Sequence, residues 1–126
     1  MNFIDAMKQL QAFEAAKPQV RAEGVTALKR LLPMAQGPSG QCRHVAAFLL
    51  GLYNGERFPF DMTRLRALDI DIFEDCMAVL RMDNAPDQEV HCYFEDGNDL
   101  FERLAQDWGI ADRQQDSASC HRTTPS

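Results

Sequence analysis

The 126-residue sequence predicts a mainly α-helical protein, with one domain of five or six helices over residues 1–111 and a flexible tail over residues 112–126. Three observations lead to this fold class. Apolar residues recur at helical spacing along most of the chain. Short Pro- and Gly-containing stretches separate these segments. The hydrophobic fraction of 45% is enough for one core, while the length leaves little room for a second domain.

Two helices are predicted before residue 36. Asn2 caps the first, and Lys17-Pro18 ends it, because the residue before a proline avoids the helical region. The second helix should kink or stop near Leu32, since Pro33 removes a backbone donor. The apolar stripe of the first helix comprises Phe3, Met7 and Leu10, and that of the second comprises Val25, Leu28, Leu32 and Ala35.

The third predicted helix, over residues 40–53, is apolar around most of its circumference, which is typical of a helix in the centre of a core. Its small-residue face consists of Gly40, Ala47 and Gly51. Another element should pack closely there, and a homodimer joined through this face is an alternative. Asn54-Gly55 should end the helix through a left-handed residue.

The second half of the chain contains three further helical segments. Asp61 caps a short helix over residues 62–68, and Phe60 and Leu65 have the spacing of a hydrophobic staple. Asp71 is the predicted cap of the next helix, Asn98 caps the last and Gly109 stops it. Residues 89–94 alternate in hydropathy and leave open a minimal two-stranded β element, with residues 56–60 as the only evident partner.

The net charge of −6 is unevenly distributed. Residues 1–57 hold seven Lys/Arg and four Asp/Glu, whereas residues 58–126 hold six Arg and fifteen Asp/Glu, so the balances are +3 and −9. This polarity disfavours direct nucleic-acid binding and suits a basic protein partner. A purely solubilising role for the acids is the alternative. The candidate partner-binding residues are Asp71, Glu74, Asp75, Glu95, Asp96 and Asp99.

The cysteines and histidines do not form a recognisable metal or catalytic motif. The three close pairs are Cys42 with His44, His91 with Cys92, and Cys120 with His121. None has the spacing of a zinc knuckle. Side chains two apart on a helix diverge by about 160°, and neighbours on a strand point to opposite faces. We therefore expect no metal and no cofactor.

Cys42 is the best candidate for an enzymatic residue. It lies in the first turn of its helix beside Arg43, where a thiol pKa can fall. The same residue continues an apolar stripe, so packing explains it without catalysis. Nucleotide-binding and hydrolase motifs are absent from the sequence. A small thiol-dependent enzyme using Cys42 remains an alternative to the expected non-enzymatic protein.

The sequence also bears on location. No run approaches the ~18 apolar residues of a membrane span, and the first ten residues lack the pattern of a signal peptide. We therefore expect a cytoplasmic protein with reduced thiols and no membrane contact.

Residues 39–83 resemble a family of short uncharacterised proteins encoded on integrative and conjugative elements and plasmids of proteobacteria. The resemblance covers about residues 25–95, with Met62 where Leu is more usual. It implies a mobile-element setting and brings no catalytic residues with it. The matching features are Gly40-Gln41, the helix end from Leu50 to Asn54, Phe60-Asp61-Met62-Thr63, Leu65 and Asp69.

Together these observations predict a non-enzymatic binding module that presents the acidic C-terminal half to a basic protein. In its sharpest form the protein inhibits a host nucleic-acid-handling defence complex by mimicking phosphate charge, as an anti-CRISPR or DNA mimic would.

Overall fold

A computed structural model describes residues 2–114 of the chain. The elements follow in the order α1 (Phe3–Ala35), α2 (Gly40–Tyr53), a first 3₁₀ helix (Met62–Ala67), α3 (Ile70–Asn84), a second 3₁₀ helix (Val90–Tyr93) and α4 (Gly97–Trp108). No strand occurs between residues 2 and 114. The mainly helical fold predicted from periodicity is confirmed, and the stretch 89–94 contains the second 3₁₀ helix (Val90–Tyr93) rather than a strand.

The predicted break at Lys17-Pro18 is wrong, because α1 is one helix of 33 residues with Pro18 and Pro33 inside it. A proline in a helix leaves the carbonyl four residues earlier without its usual donor. Here that carbonyl belongs to Glu14, an exposed residue, so water can satisfy it. Pro33 falls in the last turn, and the helix ends at Ala35 instead of near Leu32.

The second half of α1 packs antiparallel against α3. Arg30 pairs with Asp75 near the start of α3, whereas Gly24 lies against Met82 near its end. A β-carbon at residue 24 would lie 2.5 Å from Cβ of Met82, so the two backbones approach closely. The residue number of the contacting residue in α3 falls as the residue number along α1 rises, so the two helices run antiparallel.

Helix α2 lies in the centre of the core, as its apolar circumference predicts. Its six consecutive residues 45–50 are all buried. Around it pack Leu28 and Leu31 of α1, Val79 of α3 and Phe101 of α4, all with no exposed surface. Burying one such side chain stabilises the fold by roughly 1.5–3 kcal/mol.

The small-residue face of α2 is covered within the chain at Ala47 and Gly51, whereas Gly40 is exposed. A β-carbon at Gly51 would lie 2.9 Å from Cβ of Phe60, and Ala47 is buried. The close packing predicted from Gly51 is confirmed, and this face has no room for a second copy at Gly51. The helix does not end through a left-handed residue: Asn54 is extended, with φ of −159°. Its side chain accepts from the backbone N–H of Arg57 and begins a turn instead.

Of the three caps predicted in the second half of the chain, one is correct and two are wrong. Asp61 caps the first 3₁₀ helix by accepting from the N–H of Thr63 at 2.9 Å. Helix α3 begins earlier than predicted, because its N-cap is Asp69 instead of Asp71. The N-cap of α4 is Asp96, in the left-handed region at φ 56°, and not Asn98.

Candidate interaction surfaces

The first half of α1 projects from the rest of the protein. We call residues 3–16 the arm and residues 17–114 the body. Every residue of the arm is exposed. Within residues 2–114 the arm has no partner helix, because α3 ends at Asn84. The following turn is held by an ion pair between Arg21 and Asp87. At 1.5 Å per residue the arm is about 21 Å long.

The arm carries an uncovered apolar stripe. Its residues are three or four positions apart, so they share one side of the helix. The exposed fraction is 77% for Phe3 and 54% for Leu10. Farther along the helix, the same side enters the core at Gly24 and Leu28. The apolar stripe consists of Phe3, Met7, Leu10 and Phe13.

A groove lies where the arm meets the body. It has a volume of about 420 Å³ and is lined by Phe13 and Val20 of α1 together with Met77, Leu80 and Arg81 of α3. The side chain of Leu80 is 38% exposed. The apolar stripe therefore runs from the tip of the arm into an apolar groove beside the end of α3.

Charges along the arm balance. Asp5 and Glu14 offset Lys8 and the neighbouring Lys17. The ammonium of Lys17 lies 3.3 Å from the Glu14 carboxylate and 5.5 Å from the centre of the Phe13 ring. The two charges nearest the apolar stripe are thus already paired with each other.

The six acidic residues predicted to bind a partner fall into two groups. Asp71, Glu74 and Asp75 lie in the first two turns of α3, and the other three surround the start of α4. No hydrogen bond or ion pair within residues 2–114 joins the two groups. Helix α3 packs against α1, whereas α4 packs against α2 and the second 3₁₀ helix. The second group consists of Glu95, Asp96 and Asp99.

Five of these six carboxylates are exposed and have no side-chain partner among the described residues. Asp75 differs from them. Its carboxylate accepts two hydrogen bonds from Arg30, at 2.6 and 3.0 Å, and is largely covered. Asp75 therefore contributes to the packing of α1 on α3, and the remaining five present free negative charge.

Sequence analysis missed the most extensive polar cluster of the body. Arg57 donates to both oxygens of Glu102, at 2.6 and 2.8 Å, and to Asp112 at 2.8 and 3.1 Å. The hydroxyl of Tyr53 donates to Glu102 as well. No local signal could reveal this cluster, because each of these hydrogen bonds joins residues 45 or more positions apart.

The cluster has clear electrostatic consequences. Hydrogen bonding from Arg57 lowers the pKa of Glu102 below its usual value of 4.5. Burial, together with the Glu102 carboxylate, raises the pKa of Tyr53 to about 12. Asp112 belongs to the residues predicted as tail, and contacts of the body extend to Arg113, whose N–H donates to the carbonyl of Arg57. The rest of that predicted segment, from residue 115, lies outside the described residues. Because its charges satisfy one another, the cluster fastens α4 and residue 112 to the end of α2.

Cys42 lies where the sequence placed it, in the first turn of α2 and half buried. Its sulfur is 3.0 Å from the hydroxyl of Ser39, the helix cap. No imidazole of the described residues bonds to it. Arg43 turns away and donates to the carbonyl of Trp108. Cys42 is thus half buried beside the helix cap, and no general base of the described residues lies within hydrogen-bonding distance of its sulfur.

His91 and Cys92 were expected to point to opposite faces if they lay on a strand, but they lie in the second 3₁₀ helix. In the second 3₁₀ helix, Nε2 of His91 lies 3.6 Å from the Cys92 sulfur. No third ligand joins them, and residues 2–114 contain no group of three or more His, Cys, Asp or Glu able to hold a metal ion. Cys120 and His121 lie outside the described residues.

Fold and surfaces together define a small all-helical domain with a projecting helical arm. A family model described as "Family of unknown function (DUF7673)" matches residues 25–109, and the chain belongs to this family. No curated protein and no solved structure matches the chain. The matched range begins after the arm and ends at the residue that terminates α4, so it coincides with the packed part of the body. Within residues 2–114, no helix is long and apolar enough to cross a membrane.

Proposed function

We propose that the protein is a non-enzymatic protein-binding module and that the arm is its principal contact surface. The observation that supports this is the uncovered apolar stripe of the arm, whose residues are all exposed in the described part of the chain. At about 200 Å² per fully exposed large side chain, the stripe and the neighbouring Ile4 expose on the order of 500 Å². Patches of that size on a monomer are often functional. An amphipathic helix laid against another protein is a common mode of recognition.

Crosslinking in an extract of host cells tests this proposal. Lys8 of the arm and the adjacent Lys17 are joined to whatever protein contacts the arm, a second copy included, and the linked peptides are identified by mass spectrometry. Leu10→Glu places a charge in the apolar stripe and should abolish the crosslinks. Ala12→Glu adds the same charge to the opposite side and should retain them. Equal crosslinks in both variants, or none in the natural protein, would refute the proposal.

A second contact surface is proposed for the five exposed acids, which would meet a basic protein. The free carboxylates at the starts of α3 and α4 support it. Clustered charge of one sign attracts partners of the other sign and raises the rate of encounter. Reversing Glu74, Glu95 and Asp99 to Lys should weaken capture of a partner.

The matched control for that experiment reverses three exposed acids outside the arm and outside both acidic groups, Glu23, Glu56 and Asp107, and so changes the net charge equally. It should bind as the natural protein does. If both triple variants lose the partner alike, net charge and not this surface is responsible.

We further propose the mobile-element setting that the resemblance implies, with the protein acting in the cytoplasm. In that setting the acidic surface would imitate phosphate charge and inhibit a host complex that handles nucleic acid. The test is whether the natural protein, and not the Glu74/Glu95/Asp99 variant, protects incoming DNA from host defence in cells. Equal protection by both would refute charge mimicry.

A further inference from the structure

We infer that the arm binds the arm of a second copy of this chain, antiparallel and about a two-fold axis beside Leu10. The inference rests on the proposed function, because it names the occupant of the same apolar stripe. A two-fold pair is the most common symmetry of soluble homo-oligomers, and it places the same residue of both copies at the axis.

The arrangement of α1 and α3 sets the direction. Helix α3 runs antiparallel to α1 and stops at Asn84, beside the base of the arm. A second arm running antiparallel to the first occupies the place along α1 that a longer α3 would take. Its N-terminus then meets the C-terminal end of α3, and helix ends of opposite partial charge attract each other.

The length of the arm sets the register. If the tip of each arm abuts the end of the other copy's α3, Phe3 lies opposite Lys17, Met7 opposite Phe13, and Leu10 opposite the second Leu10. Phe3, the most exposed of the large apolar side chains, then reaches the groove lined by Phe13, Val20 and Leu80. Every member of the apolar stripe acquires an apolar or aromatic neighbour in this register.

Area and charge both favour a second copy. Two arms together expose on the order of 1,000 Å² of apolar surface, and with the adjoining polar atoms the pair reaches the ~1,200 Å² at which stable interfaces begin. The arm together with Lys17 is electrically neutral although the chain carries −6. Antiparallel pairing also holds the two acidic bodies at opposite ends, where their repulsion is least.

Sedimentation equilibrium of the purified full-length protein tests the inference. The natural protein and Ala12→Glu should be dimers, whereas Leu10→Glu should be a monomer. Two carboxylates would meet at the axis in Leu10→Glu, and an uncompensated charge buried in an interface weakens Kd by at least about 100-fold. Circular dichroism should show that both variants remain folded, because residues 10 and 12 do not enter the core.

The register is tested by Leu10→Cys under mild oxidation. Symmetry brings the two introduced thiols together, so a covalent dimer linked through residue 10 of both copies is expected, identified by peptide mapping. Ala12→Cys faces away and should not link. A natural protein that is monomeric at all concentrations, or an Ala12→Cys that links as readily, would overturn the inference. A monomer that still crosslinks through its arm to a different protein would refute the second copy and leave the proposed function standing.

Discussion

At residue 24, α1 has no space for a side chain. A β-carbon there would lie 2.5 Å from Cβ of Met82 and 2.8 Å from its sulfur. We predict that Gly24→Ala lowers the free energy of unfolding by about 1–2 kcal/mol, because overpacking outweighs the gain of ~1 kcal/mol in helix propensity. Urea unfolding measures the effect.

Gly40→Ala is the matched control, since a β-carbon at residue 40 meets nothing within 4 Å. That variant should be as stable as the natural protein or slightly more stable. If Gly24→Ala unfolds at the same urea concentration as Gly40→Ala, the close approach of α1 and α3 at residue 24 is wrong.

Residue-level predictions from the sequence succeeded where the cause is local. Asn2 and Asp61 cap their helices as expected, because a cap bonds to an N–H two or three positions away. Asn98 failed as a cap for a tertiary reason. A β-carbon at Gly97 would lie 1.7 Å from the carbonyl oxygen of His91, so this glycine must sit against the second 3₁₀ helix, and α4 begins there.

At the scale of elements, the cluster around Arg57 fastens α4 to α2 and makes stability depend on pH. The pKa of Glu102 is lowered in the folded protein, so its contribution to stability is present above the unfolded pKa of about 4.5. That contribution is lost as pH falls through the folded value. We predict that Glu102→Gln is less stable than the natural protein at pH 7. Between pH 5 and acid pH, the free energy of unfolding of the natural protein should fall by more than that of Glu102→Gln.

Urea unfolding at a series of pH values checks this prediction. Asp107→Asn is the control, because Asp107 is an exposed residue of the same helix with no side-chain partner in the described part of the chain. Burial raises the pKa of Asp83, so this residue changes the free energy of unfolding with pH in the opposite direction. The change is the same in the natural protein and both variants, and it cancels when they are compared. Parallel curves for the natural protein and Glu102→Gln would show that the cluster adds no pH-dependent stability.

Sequence periodicity predicted α2 and the apolar face of α4 because both helices bury a continuous stripe in one core. The predicted break at Pro18 was wrong because the rule for the residue before proline ignores how little a lost hydrogen bond costs at an exposed carbonyl. The cluster around Arg57 depends on contacts across 45 or more positions, and no spacing in the sequence records them. The acids of the predicted surface were visible in the sequence, but the engagement of Asp75 by Arg30 was not.

At the scale of the whole molecule, the body is complete without the arm. The buried hydrophobic residues begin at Ala27, and residues 2–16 are all exposed. The family model likewise begins at residue 25. The arm therefore contributes little to the folding of the body, and its apolar stripe is left exposed for the contact proposed above.

We predict that deleting residues 1–16 leaves a protein that unfolds cooperatively, with Tm within about 4 °C of the monomeric Leu10→Glu variant, because less than about 1 kcal/mol is lost when neither protein has the dimer contact. Near-ultraviolet circular dichroism follows the transition through Trp108, whose indole N–H donates to the carbonyl of Ala35 and reports on the core. A deletion of residues 1–26 should behave differently. It removes Gly24 from the contact with α3 and Arg21 from its ion pair with Asp87, so the transition should broaden or disappear. If the shorter deletion abolishes cooperative unfolding as well, the arm is part of the folding unit, and its apolar stripe is covered by the body.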